Sequence, residues 1–207
     1  GERFSLSVER RDEKTISIPL YLNPRESYFV VITNKKEDLP MVSWYNKSSS
    51  ADDDSINEGW NVYFDEKKGG VGNVAFDKLL DWTSNSDPRI KYYSGTAIYK
   101  KTISCEKRDD KVYIDLGDPG FVARVFVNSV DVGVVWCSPW NLEITNHLKD
   151  GDNELEIHVA NSLINRMIYD ASLSEEQRVT YAYPMIVSPS DKLIPSGLRN
   201  VKLVRMK

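Results

Sequence analysis

The stretch ARVFVNSVDVGVVW at residues 123–136 decides the fold class. It contains two runs in which apolar residues alternate with other residues, and Asn128 and Ser129 stand between the runs. Alternation with a period of two is typical of a β-strand that buries one face. Asparagine tolerates the positive φ of a tight hairpin turn, although serine is less usual than glycine at the next position. The stretch therefore predicts a β-hairpin.

The same short period recurs through most of the chain. Apolar or alternating runs stand at residues 60–64, 96–103, 112–116, 155–159 and 201–204. Many short strands with turn residues between them are typical of a sandwich or barrel. One segment, residues 76–82, reads instead as a short helix, because its apolar residues fall on one helical stripe. We therefore expect an all-β protein.

Composition excludes two classes of partner. The chain has 207 residues, of which 41% are hydrophobic and 28% charged, and its formal net charge is −4. This charge leaves no basic field for nucleic acid, so we expect no nucleic-acid partner. The longest apolar runs, such as residues 29–32 and 132–136, are far shorter than the roughly 20 residues that cross a bilayer. We expect no membrane span.

The sequence carries no motif for catalysis or for a cofactor. Cys105 and Cys137 form no CxxC pair, and His147 and His158 stand apart from any ligand cluster, so no metal site is predicted. Two buried thiols and one disulfide are both compatible with the cysteines. Nucleophile elbows, phosphate loops and dinucleotide fingerprints are missing. We expect no cofactor.

The beginning of the chain is predicted to form a separate segment. Within residues 1–38, three alternating runs suggest a β-strand meander, which buries too little area to stand alone. It is either the end of a preceding β-domain or an extension docked on the main domain, which is predicted at residues 59–207. Polar residues predict a linker between the two, at residues 39–58. Asp52 to Asp54 belong to this solvated linker; structural calcium is the alternative, although the spacing of a calcium loop is missing.

Two segments resemble the sugar-binding jelly roll of glycoside hydrolase family 2. Residues 92–102 are similar to its opening pattern, Y-x-G-x-A-x-Y. Residues 125–133, with 144–145 and 148–155, are similar to its core pattern, VNG-x-x-x-G followed by DIT-x-x-L-x-x-G-x-N-x-L. The resemblance implies a galactose-binding-like jelly-roll β-sandwich, preceded here by a small N-terminal β-strand segment.

The chain looks most like the C-terminal modules of the α-L-rhamnosidases of glycoside hydrolase family 106. The matching stretches are IKYYSGTA at residues 90–97, N-R-x-I-x-D at 165–170 and PSGL at 195–198. The resemblance covers residues 59–207 and implies a module without catalytic residues, since in such enzymes the catalytic pair belongs to a separate barrel domain. It implies two partners, the catalytic domain of the parent hydrolase and carbohydrate, and an extracellular or periplasmic location. Because the chain starts with Gly1 rather than Met, we expect it to be a fragment.

Aromatic residues form the first group of candidates for carbohydrate binding or for a domain interface. Aromatic rings stack on the C–H faces of sugars, and Trp136, Trp140 and Tyr92 supply such rings. We expect Trp140 to be the more exposed tryptophan, because Pro139 and Asn141 place it in a loop. Trp136 is expected to pack in the core or at an interface.

A long segment before the last strand, residues 162–195, holds the second group. Long loops in compact domains are often functional or interfacial. By the resemblance to family 2 modules, in which this stretch can approach the active site, Asn165, Arg166 and Asp170 are candidates for contact with substrate or with the catalytic domain. Arg166 would give directional bonds to hydroxyls or to a carboxylate. The alternative is an internal Arg166–Asp170 pair that holds a helical turn.

Three functions are open from the sequence. The leading hypothesis is a non-catalytic accessory module of a secreted, rhamnosidase-like glycoside hydrolase. The second is an autonomous carbohydrate-binding module, and the third is a purely structural packing domain. An exposed Trp140 among polar loop residues would favour binding, whereas a broad apolar face would favour packing.

Overall fold

The computed structural model describes residues 3–22, 27–41, 52–106, 108–180 and 187–206. The chain divides into two compact units, Gly1–Ser49 and Ser50–Lys207.

The smaller unit has little regular structure in its described part. Strands β1 (Glu9–Arg10) and β2 (Ile16–Ser17) pair antiparallel, and Ser5 forms an isolated bridge with Met41. The predicted meander is wrong in its extent, because the two strands are only two residues long and residues 28–32 form no strand. Alternating residues form a sheet only where neighbouring strands supply hydrogen bonds. Among the described residues of this unit, the ladder between β1 and β2 is the one that is formed.

The larger unit is a β-sandwich of two antiparallel sheets. The six-stranded sheet has the order β5-β4-β6-β11-β8-β9, and the four-stranded sheet has the order β10-β7-β12-β3. The strands are β3 (Asp52–Ser55), β4 (Glu58–Phe64), β5 (Gly72–Lys78), β6 (Thr96–Cys105), β7 (Lys111–Asp115), β8 (Val122–Val127), β9 (Val130–Val135), β10 (Asn141–Glu143), β11 (Gly151–Ala160) and β12 (Lys202–Met206). The predicted all-β, jelly-roll β-sandwich is confirmed.

The core lies between the two sheets and follows the period-two pattern of the sequence. Alternate residues of β4, β6, β8 and β11 are buried, which is the geometry of a strand with one wet face, whereas β7 is buried at four consecutive positions. These inward residues include Trp60, Val62 and Phe64 of β4, Ala97 and Tyr99 of β6, Leu155, Ile157 and Val159 of β11, and Ile114 of β7.

The hairpin predicted at residues 123–136 is confirmed. Asn128 and Ser129 have φ of 50° and 66° and connect β8 to β9. Positive φ at both central residues matches a type I′ turn, whose twist suits antiparallel strands. The Asn128 side chain fixes the turn: its Nδ2 donates to the His147 carbonyl and to Asn153 Oδ1, and its Oδ1 accepts from the Glu154 amide.

The helix predicted at residues 76–82 is wrong. Phe76 lies in β5, opposite Trp60 of β4, and its side chain is buried. The apolar residues that suggested a helical stripe are the end of a strand followed by irregular chain at residues 79–81. A single 3-10 turn, Trp82–Ser84, comes next, and Asp81 caps it by accepting from the Thr83 amide.

The linker assigned to Asp52–Asp54 is also wrong in part. These residues lie in β3, which pairs with β12 from Ser55 opposite Lys202 to Asp52 opposite Arg205. Ladder hydrogen bonds come from the backbone, so an acidic sequence can form a strand at a sheet edge, where charged side chains are common. Residues 42–51 of the predicted linker lie outside the described residues.

The described residues of the larger unit also form two short α-helices, α1 (Pro88–Lys91) and α2 (Ile164–Asp170). In the part of the chain that the structure describes, no helix is long and apolar enough to cross a membrane. Cys105 is buried, Cys137 is half-buried, and both are free thiols.

Candidate functional site

Asn165, at the start of α2, is bonded entirely within the module. Its side chain is buried, and its Nδ2 donates to the Ile194 carbonyl at 2.7 Å while its Oδ1 accepts from the Ile194 amide at 2.8 Å. Nδ2 also lies 3.4 Å from Ser196 Oγ. The amide thus ties α2 to the segment that leads into β12.

Arg166 and Asp170 form a buried ion pair along one face of α2. Arg166 Nη2 lies 2.8 Å from Asp170 Oδ1, and the two side chains are 7% and 3% exposed. Residues four apart on a helix lie on the same face, which makes this contact local. The structure therefore contains the internal pair that the sequence offered as the alternative to a substrate contact.

Asp170 also closes the loop that comes after α2. Its Oδ2 accepts from the amides of Val179 and Thr180, at 3.1 and 2.7 Å, and from Thr180 Oγ1 at 2.7 Å. Burial alone would raise the pKa of Asp170, but the bonds from Thr180 and the charge of Arg166 outweigh it and lower the pKa below its ordinary value. The carboxylate is a charged anchor for residues 170–180.

Arg166 contacts three further residues, two of them at its guanidinium and one at its backbone amide. Its Cζ lies 5.3 Å from the ring centroid of Tyr169, its backbone amide donates to Ser94 Oγ, and Gly69 faces its Nη1. A Cβ at residue 69 would lie 3.2 Å from that nitrogen, and the φ of Gly69 is +77°. Glycine at this position therefore lets the guanidinium pack against backbone.

Tyr92 stacks on Tyr169 rather than standing free. The ring centroids are 4.3 Å apart with an interplanar angle of 6°, and Lys91 Nζ lies 5.5 Å from the Tyr92 centroid. Lys91 thus lies against the Tyr92 ring, and Arg166 lies against the Tyr169 ring, so each ring of the stacked pair has one cation close to it. One face of Tyr92 is consequently covered within the module.

The exposure of the two candidate tryptophans is the reverse of the sequence prediction. Trp136 is 70% exposed, whereas Trp140 is half-buried and packs against the core. The prediction that Trp140 is the more exposed of the two is wrong, because the Trp140 carbonyl accepts from the Leu116 amide and holds this loop against the sandwich. Trp136 follows β9 in register with outward-facing Val134, at a sheet edge.

A shallow polar cavity lies beside the N-terminal end of β11. It has a volume of about 410 Å³ and is lined by Thr102, Asn128, Ser129, Lys149, Asp152, Asn153 and Glu154. Asn153 is buried and forms its floor: its Oδ1 accepts from the Lys149 amide, and its Nδ2 donates to the carbonyls of Lys149 and Gly151. The sequence signalled this place only through the turn residues around Asn128 and Asn153.

The structure brings Tyr92, Arg166 and Asp170 into one cluster, with Asn165 bonded to the neighbouring segment 194–196. Sequence reasoning missed four members of this assembly, which are Gly69, Ser94, Tyr169 and Thr180. Tyr169 alone had a signal, because it lies three residues after Arg166 and shares its helix face. The others come from distant parts of the chain.

Comparisons with known proteins point to glycoside hydrolases. No family model matches the chain. A rhamnosidase from Novosphingobium sp. PP1Y is structurally similar over 97% of this chain, with a TM-score of 0.81 and 29% sequence identity. The match covers 19% of the rhamnosidase chain. The predicted resemblance to a galactose-binding-like module of a rhamnosidase-like hydrolase is therefore confirmed.

Two further proteins are similar to this chain, one in sequence and one in fold. A protein from Formosa agariphila, described as "Putative beta-glucuronidase", is 38% identical over 118 residues, which are 55% of this chain and 10% of that protein. The β-D-glucuronidase of Dictyoglomus thermophilum shares the fold, with a TM-score of 0.56 and 16% identity over 79% of this chain and 29% of its own. In each case the chain matches a small part of a larger protein.

Proposed function

We propose that this chain is a non-catalytic accessory module of a larger, rhamnosidase-like glycoside hydrolase. The observation that carries the proposal is the similarity to the Novosphingobium rhamnosidase, which takes in 97% of this chain but 19% of that enzyme. A module of this size leaves most of such a polypeptide for a catalytic domain. Glycosidases need two carboxylates on either side of the scissile bond, and we place that pair elsewhere in the parent enzyme.

In this proposal the cluster on α2 has a supporting role. Asn165 is hydrogen-bonded to Ile194, and Asp170 accepts hydrogen bonds from residues 179 and 180 of the same module. Buried polar groups that are bonded to a loop of their own module hold that loop in one conformation, and the atoms so bonded are not free to bind a sugar. We infer that they fix the segment between α2 and β12 where the parent enzyme needs it.

The exposure of Trp136 favours a second candidate function, autonomous carbohydrate binding. An indole that is 70% exposed offers a free face to the C–H surface of a sugar. Val122 of β8, and Val130 and Val134 of the edge strand β9, are exposed as well. Such an edge also suits contact with the catalytic domain, and titration with sugars separates the two roles.

Hydrolysis tests the accessory role directly. The purified chain and the complete hydrolase are each incubated with 4-nitrophenyl α-L-rhamnopyranoside, and we expect nitrophenol release from the complete enzyme alone. Release by the purified chain would overturn the proposal. Asp152 and Glu154, two carboxylates on the polar cavity, would then be the first residues to replace, as Asp152→Asn and Glu154→Gln.

Calorimetric titration tests the second candidate. The chain is titrated with L-rhamnose and rhamnose-containing oligosaccharides, beside the matched variants Trp136→Ala and Trp140→Ala. Saturable heat that disappears in Trp136→Ala and persists in Trp140→Ala would establish an independent binding module. An absence of heat with every sugar would leave the accessory role alone.

A further inference from the structure

The polar cavity beside the N-terminal end of β11 has the size of a ligand site. Its volume of about 410 Å³ lies within the range of about 300–1,000 Å³ that small-molecule sites occupy. It opens where three elements meet, which are the C-terminal half of β6, the turn between β8 and β9, and the start of β11. Its lining residues are all polar or charged. A ligand here is held by hydrogen bonds and not by apolar contact.

The floor of the polar cavity is fixed by hydrogen bonds within the module. Asn153 is 1% exposed, and its Oδ1 accepts from Asn128 Nδ2 as well as from the Lys149 amide. Asn128 Oδ1 in turn accepts from the Glu154 amide. A site whose frame is fixed before binding loses less conformational entropy when the ligand arrives. The floor is therefore prearranged, and the groups that can bind a ligand are those of the rim.

The rim consists of the five exposed lining residues, which are Thr102, Ser129, Lys149, Asp152 and Glu154. Among the described residues, the charged groups of the last three form no hydrogen bond or ion pair. The other charged side chains of β6, β8, β9 and β11 do have partners, in the contacts Lys100–Glu156, His158–Glu156, Arg124–Asp131 and Lys101 with the Glu58 carbonyl. The rim is thus the part of these strands where charges are free to bind a ligand.

The rim offers hydrogen-bond donors and acceptors side by side. The hydroxyls of Thr102 and Ser129 both donate and accept, and the Lys149 ammonium donates. The carboxylates of Asp152 and Glu154 accept. A ligand hydroxyl also donates one hydrogen bond and accepts others, so several hydroxyls on one molecule match this mixture. Hydrogen bonds to an ionised group are roughly twice as strong as those between neutral groups.

Charge and composition argue against other classes of ligand. Two carboxylates face one ammonium, so the rim is net negative and disfavours an anion such as a phosphate or a uronic acid. An apolar ligand finds no apolar side chain to pack against in this lining. Within the described ranges, no three His, Cys, Asp or Glu side chains are grouped so that they could hold a metal ion. A neutral, polyhydroxylated molecule remains.

We propose that the polar cavity binds a neutral sugar. The choice of a sugar among polyhydroxylated molecules rests on the proposed function, which makes the chain part of a glycoside hydrolase. The turn at Asn128 and Ser129 joins β8 to β9 at one end of the hairpin, whereas Trp136 follows β9 at the other end. The site is therefore independent of any sugar contact at Trp136.

Titration followed by nuclear magnetic resonance tests the proposal. The isotope-labelled chain is titrated with L-rhamnose, D-galactose, D-glucose and D-xylose, and with D-glucuronate as the anionic comparison. We expect a neutral sugar to shift the amide signals of residues 128–129 and 149–154, with a Kd on the order of 1–10 mM, as for a small ligand held by a few hydrogen bonds. Glucuronate should bind about 5-fold more weakly or less, because the rim is net negative.

Glu154→Ala and Glu156→Ala form a matched pair of variants. The two residues lie two positions apart on β11 and so share one face of the sheet. Glu154 lines the polar cavity, whereas Glu156 is paired with Lys100 outside it. We expect Glu154→Ala to raise the Kd at least about 10-fold, because it removes a hydrogen bond to a charged group, and Glu156→Ala to leave the Kd unchanged. Urea unfolding confirms that both variants are folded.

Four results would overturn the proposal. These are no shift with any of the neutral sugars, shifts confined to residues around Trp136, tighter binding of glucuronate than of the neutral sugars, and an unchanged Kd in Glu154→Ala. The titration needs no enzymatic activity, so it separates the site from the proposed function. If the complete protein fails to cleave the rhamnoside but these amides respond to a neutral sugar, the proposed function is wrong and the sugar site stands. Cleavage without a response of these amides means the reverse.

Discussion

Replacing Asp170 with asparagine measures how much the buried ion pair on α2 contributes. The substitution keeps the size of the side chain, removes its charge, and leaves Arg166 buried without a counter-ion. The three loop donors all bond Oδ2, so the asparagine oxygen can keep these bonds, and its amide group then faces the Arg166 guanidinium in place of Oδ1. Breaking a buried, hydrogen-bonded pair by changing one partner costs about 3–5 kcal/mol. In a unit of this size, about 2–4 °C per kcal/mol gives a fall in melting temperature of about 6–20 °C.

The assay is urea unfolding followed by tryptophan fluorescence, since buried Trp60 and Trp82 report on the larger unit. Asp118→Asn is the matched control, because its contact with Arg199 is 3.5 Å long and solvent-exposed; exposed pairs contribute about 0–1 kcal/mol. A loss below about 1 kcal/mol in Asp170→Asn, without faster amide exchange over residues 164–180, would show that the pair is hydrated and does not anchor the loop.

Three further outcomes are expected from the same contacts. We expect Ser129→Gly to raise stability by up to about 1 kcal/mol in urea unfolding, because φ of 66° strains serine and not glycine; a loss would refute this. Trp82→Ala should cost about 3–5 kcal/mol as a buried aromatic, whereas exposed Trp136→Ala should cost less than about 1 kcal/mol in the same assay. The pKa of Asp170 is lower in the folded state than its ordinary value of 3.8. The charge of Asp170 therefore contributes fully to the free energy of unfolding above pH 3.8, and this contribution is lost as the pH falls through the lower folded pKa. We expect the urea midpoint to decline below about pH 4 in the wild type and to decline less in Asp170→Asn.

The fold of the larger unit could be predicted because period-two alternation and burial have the same physical cause. The hairpin at residues 123–136 and the strands around residues 96–103 and 155–159 were identified from that pattern alone. It failed where backbone pairing decides the structure against composition, as in acidic β3. It also failed at Phe76, where the end of a strand and the irregular chain after it place apolar residues at the spacing of a helical stripe.

The candidate site was predictable only in its local part. The Arg166–Asp170 pair follows from helix geometry, so spacing in the sequence was sufficient to offer it as an alternative to a substrate contact. The exposure of Trp136 and the burial of Trp140 depend on which loop the tertiary contacts hold down, and sequence spacing does not contain that information. Binding of carbohydrate, calcium, and an extracellular or periplasmic location stay predictions from the resemblance or the sequence.

The pairing of β3 with β12 determines how the larger unit responds to mechanical tension. Asp52 lies opposite Arg205, so the first and last strands enter and leave at the same end of the sheet. A pull on both ends would load their hydrogen bonds one after another, as in a zipper, and not all together. The sandwich should therefore open at low force by losing β3 first, while β6, β8 and β11 stay folded in the other sheet.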